Sequence, residues 1–221
     1  MKLPSESSSS EVLVNYSVYT SVRVAAKHGT NQLSNPLVDA YEALETKITE
    51  RKRKTKESAA KLAMRDEKND CCDNAIVNLS LELLSATGNN REDIRYKSLY
   101  TKTPSRITVQ PIKDKSSDIK VLIQKLSTNS GDAIYAKHLP ILQAAIAELD
   151  EAEASYQAAL INEQSSYDFE KASQAALRNT LVRTYGKLID IAGKKNADNY
   201  FKKSADKKKK ETKQGEKPIE P

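Results

Sequence analysis

Tryptophan is absent, phenylalanine occurs twice and aromatic residues make up only 5% of the 221 positions, so the chain lacks the side chains that favour sheets. Six glycines and seven prolines are too few for a turn-rich β fold. They also exclude the Gly-rich cradles of phosphate-binding loops, and neither a Walker nor a dinucleotide fingerprint occurs. The only histidines are His28 and His138, both near expected helix ends, which gives little basis for a nucleophile with a histidine base. No glutamate has a histidine three residues later, so a ferritin-like metal pair is not expected. Glu148, Glu151 and Glu153 spread over an exposed helix face. The expectation is a non-enzyme without metal or cofactor.

Cysteine is nearly missing too. Cys71 and Cys72 are adjacent on a helical pattern and point about 100° apart, which suits neither a disulfide nor a zinc site. They read as reduced thiols, one of them in the core. No apolar run approaches the roughly 20 residues of a membrane span, and Met1 to Ser10 has no apolar signal region. The chain is therefore expected in the cytoplasm, with no membrane partner. The sequons at Asn15 and Asn78 then read as chance matches.

What is present is charge, at 30% of residues, with Ala, Glu, Lys and Leu dominant. That composition predicts long helices. The net charge is +6, but eight lysines against four acids from Lys202 onward place +4 of it at the C-terminus. The expected organisation is a disordered N-terminus over 1–11, a single helical-bundle domain over 12–200 and a Lys-rich tail over 201–221.

Periodicity predicts where the helices lie. In the segment 12–28, Val14, Val18, Val22 and Ala25 fit a helix stripe, although the valines also alternate like a strand. Gly29 favours helix because it suits a left-handed C-terminal cap. Ser34 or Asn35 as cap and Pro36 as first residue predict the start of a second helix. Its stripe runs through Leu37, Tyr41, Leu44 and Ile48, resumes at Leu62, Cys72, Ile76, Leu79 and Leu83, and stops before Gly88. That is about 50 residues, or about 75 Å. Asp132 is an expected cap for a partner helix of similar length, with Leu142, Ala145, Leu149, Ala152, Tyr156, Ala159, Leu177, Leu181 and Leu188 inside and Gly193 as stop. Pro140 predicts a kink or break there. Ile119, Leu122, Ile123 and Leu126 predict a shorter helix over 117–127.

The expected fold is all-α: an elongated helical bundle of two long antiparallel helices plus two shorter ones, with a long crossover loop over 88–116. Both long stripes turn polar in the middle, over 51–65 and 163–174. With Leu37 beside Leu188, Thr55 falls near Glu170 and Arg51 near Gln174, so the polar stretches face each other. Alternatively they project as a solvated arm. In the run Arg51 to Lys56 the charges wrap the helix and pair with nearby glutamates.

The crossover is the most unusual segment. Tyr96, Leu99 and Tyr100 read as anchors over a bundle end, and Ile107 with Val109 as a short strand. Function follows the fold class: a structural or protein-interaction bundle that associates with itself or another helical protein through Ala-rich close-packing positions. The alternative is a nucleic-acid or polyanion binder. In it, Arg95, Tyr96, Tyr100, Lys102 and Arg106 of the loop act with Lys207, Lys208, Lys209 and Lys210 of the tail, aromatic faces stacking bases and cations neutralising phosphate.

Overall fold

A computed structural model describes residues 1, 3–129 and 131–202. Among them every regular element is helical: α1 (Ser10–Ala25), α2 (Asn35–Ala86), α3 (Ile94–Leu99), α4 (Pro104–Thr108), α5 (Ile112–Thr128), α6 (Ala133–Ala192) and α7 (Lys194–Ala197), with 3-10 turns at Asn31–Leu33 and Asp198–Tyr200. The two long helices, α2 and α6, pack on one another. The expected Lys-rich tail lies outside the described residues from 203 onward.

Local chemistry sets the helix ends. After Ala86 the chain turns left-handed at Gly88 (φ 66°) and Asn89 (φ 62°). The Asn89 amide returns to the Leu84 carbonyl at 2.7 Å, a six-residue closure that satisfies a carbonyl the helix leaves free. At the start of α6, Asp132 Oδ1 accepts from the Ile134 amide at 2.9 Å. The helix then continues through Pro140 to Ala192, without the expected break. α2 starts at Asn35, directly after Ser34, one of the two expected caps; the Leu37 and Val38 amides donate to the Ser34 carbonyl, and the Ser34 hydroxyl donates to the Asn31 carbonyl at 2.8 Å.

Contacts divide the chain into two compact units, Met1–Thr49 with Phe169–Pro221, and Glu50–Asp168. In the first unit, Leu13, Val14, Tyr16 and Val24 of α1 share a core with Leu37, Leu44 and Ile48 of α2, Leu177, Leu181 and Leu188 of α6, and Tyr200 and Phe201. Phe201 meets Tyr185 edge-on at 5.4 Å between ring centroids. The described residues among 1–11 belong to this unit. The Ser9 hydroxyl caps α1, and Arg178 donates to the Pro4 and Ser5 carbonyls at 2.7 Å each.

Ser10 makes the most consequential of these contacts. Its hydroxyl donates to Glu170 Oε1 and accepts from Gln174 Nε2, so two buried polar side chains of α6 are tied to α1. Of the pairing expected for Glu170 with Thr55, the Thr55 hydroxyl goes instead to Glu163 at 2.8 Å. Ser10→Ala is expected to destabilise the protein by about 1–3 kcal/mol, the cost of leaving buried polar groups short of a partner. Chemical denaturation of the two proteins measures it.

The second unit is cored by Cys72, Ile76, Leu79 and Leu83 of α2, Ile119, Leu122 and Leu126 of α5, and Leu142, Ile146 and Leu149 of α6, with Tyr96, Leu99, Tyr100 and Ile107 closing over them. The expected crossover loop is thus mostly helical. Pro104, with its φ pre-set for a first turn, starts α4 after the extended Thr103, which overturns the strand expected at Ile107 and Val109. α5 starts at Ile112, five residues before the expected 117.

Polar contacts also join the two long helices within this unit. Thr55 donates to Glu163 at 2.8 Å, Lys68 pairs with Glu148 at 2.8 Å and Lys137 with Glu82 at 2.6 Å. Thr55 therefore meets Glu163 where residue 170 was expected, a shift of seven residues. Seven residues are two turns, so the slip moves every stripe residue onto an equivalent one. Ser58 also donates to Glu163, and the Arg65 guanidinium lies over the Tyr156 ring at 4.7 Å. The 55–65 stretch of the polar middle is paired within this unit.

Candidate interaction surface

Helix α1 buries the side expected to be outside. Its buried residues are Ser10, Leu13, Val14, Tyr16, Ser17, Thr20, Ser21 and Val24, so half of the inward face carries hydroxyls. Three of these satisfy themselves. Ser17 donates to the Leu13 carbonyl at 2.8 Å, Thr20 to Tyr16 at 2.9 Å and Ser21 to Val18 at 2.9 Å. A small hydroxyl bonded back to its own helix leaves little polarity to hydrate and lets neighbouring helices approach closely. The consequence is an apolar exterior. Val12, Val18, Tyr19 and Val22 are exposed, Val22 by 62%, and Ala25 and Ala26 continue the same side. Of the expected stripe, Val14 is buried, whereas Val18, Val22 and Ala25 face outward.

Elsewhere Val77 and Leu81 lie one turn apart on α2, and other exposed apolar side chains, such as Met64, Ile94, Val109 and Ile161, are spread over the surface, which is ordinary for proteins. A contiguous side of one helix is not.

Among the described residues expected to bind a polyanion, the two tyrosines are not exposed. Tyr96 and Tyr100 are buried. The Tyr96 hydroxyl bonds Ser80 Oγ at 3.0 Å and the Tyr100 hydroxyl donates to the Ile76 carbonyl at 3.0 Å. Burial, with the nearby Tyr96 second, pushes the Tyr100 hydroxyl far above its ordinary pKa. These rings lie in the core, where the anchors that their spacing also suggested would be. Arg95 pairs with Asp132 and Lys102 with Asp118, the latter at 2.7 Å. Arg106 is exposed. Lys207, Lys208, Lys209 and Lys210 lie outside the described residues. In the basic run of α2, Lys54 pairs with Glu57 at 3.0 Å, as expected of a solvated helix.

Two polar clusters escaped the sequence reading. Lys115, assigned to a solvated loop, is 1% exposed. Its ammonium donates to Asp73 Oδ1 at 2.6 Å, Asp73 Oδ2 at 2.8 Å and Asn69 Oδ1 at 2.7 Å, which joins α5 to α2 and uses its whole donor capacity. Beside it, burial first and the Asp73 charge second push the Cys72 thiol up to about 11, so it is no nucleophile at neutral pH. Cys71 is exposed and Cys72 buried, both free, as expected for one core thiol.

The second cluster joins Lys137 and His138 to Glu82. Both nitrogens reach Glu82 Oε2, at 2.6 and 2.8 Å. The hydrogen bond from Lys137, then that from His138, holds the Glu82 carboxyl below its usual range. The Ser58 and Thr55 hydroxyls do the same for Glu163. A carboxyl depressed on folding stabilises the protein above its unfolded pKa, and that contribution is lost as pH falls through the folded value. The melting temperature is therefore expected to fall on acidification below the ordinary glutamate value near 4.5. Glu82→Gln is expected to flatten part of that slope, which a pH series of thermal melts records.

Among the described residues no group of three or more His, Cys, Asp or Glu side chains is placed to hold a metal ion, and no helix is long and apolar enough to cross a membrane. No family model matches the chain, and neither a curated protein nor a solved structure matches it.

Proposed function

We propose that this protein is a non-enzymatic helical scaffold that works by association, its own copy being the first partner. The exposed apolar side of α1 carries the reading: Val12, Val18, Tyr19 and Val22 lie on one helix face, and covering such a face releases water that hydrophobic side chains order. The long helices form the frame, running antiparallel within a bundle. The progression from Thr55 with Glu163 through Lys68 with Glu148 to Glu82 with Lys137 supports that direction.

A scaffold role also accords with how the reactive side chains are used. Lys115 is spent on three hydrogen bonds and the Cys72 thiol is held protonated. The polyanion reading loses its stacking faces to the core and two of its cations to ion pairs. Sedimentation velocity on a dilution series tests the proposal. A sedimentation coefficient that falls on dilution is expected, whereas a single monomeric species at tens of micromolar would contradict it.

A further inference from the structure

We draw no further inference here: the strongest candidate, the apolar outer side of α1 at Val12, Val18, Tyr19 and Val22, is the surface on which the proposed function already rests, and nothing in the structure shows what covers it.

Discussion

Asp73→Ala is expected to cost about 3–5 kcal/mol of stability, because it strands a buried ammonium. The Lys115 side chain is 1% exposed and gives two of its three hydrogen bonds to that carboxylate, which leaves Asn69 as its one remaining hydrogen-bond partner. Lys115→Met removes the charge and keeps the length, leaving Asp73, whose side chain is 23% exposed, in reach of water. It is expected to cost less than half as much, because the penalty for burying an ion disappears with the ion. Urea unfolding of both single variants and the double variant measures the coupling between the residues. Equal losses in the two singles would mean that the site tolerates an unpaired ammonium, contrary to its burial.

Leu149→Ala is expected to cost about 2–5 kcal/mol, the transfer loss plus the cavity left in a core that relaxes only in part. Leu149 is fully enclosed with Cys72, Ile76 and Ile119 in the second unit. The exposed Ile161, on the same helix, makes a control. Ile161→Ala is expected to change stability by no more than about 0.5 kcal/mol, as surface substitutions do. A small loss at Leu149 would show that α6 does not pack there as described. The midpoints of thermal or denaturant unfolding separate these outcomes.

The frame of the fold was legible because its punctuation is local. Gly88, Asp132 and Gly193 mark the ends of α2 and α6 through conformations and capping bonds that involve only their neighbours. Their positions can therefore be read without knowing what the helices pack against. Register was not legible for a related reason. A slip of seven residues leaves the heptad stripe in phase, and only the particular meeting of Glu163 with Thr55 and Ser58 distinguishes the two alignments.

The surface of α1 was not legible because hydrophobicity alone does not mark the inside of a helix. Ser17, Thr20 and Ser21 bury cheaply by bonding to their own helix, and Val18 and Val22 are left outside. The spacing of hydroxyls at 10, 17, 20 and 21 follows a helix period and was a usable signal. Lys115 gave no such warning. Its burial depends on Asn69 and Asp73, more than forty residues away on another helix. The roles of Tyr96 and Tyr100 were half visible, since the spacing that suggested anchors also suggested stacking faces. Burial decides for the anchors.

Association of the chain through α1 is the central proposal. Light scattering on two single variants tests that most directly, one at Val22 on α1 and one at Leu81, which is 59% exposed on α2 in the other unit. Val22→Lys is expected to reduce the mass to that of one chain while Leu81→Lys leaves the mass of the unsubstituted protein unchanged. An unaltered mass for Val22→Lys, or dissociation by Leu81→Lys alone, would contradict it.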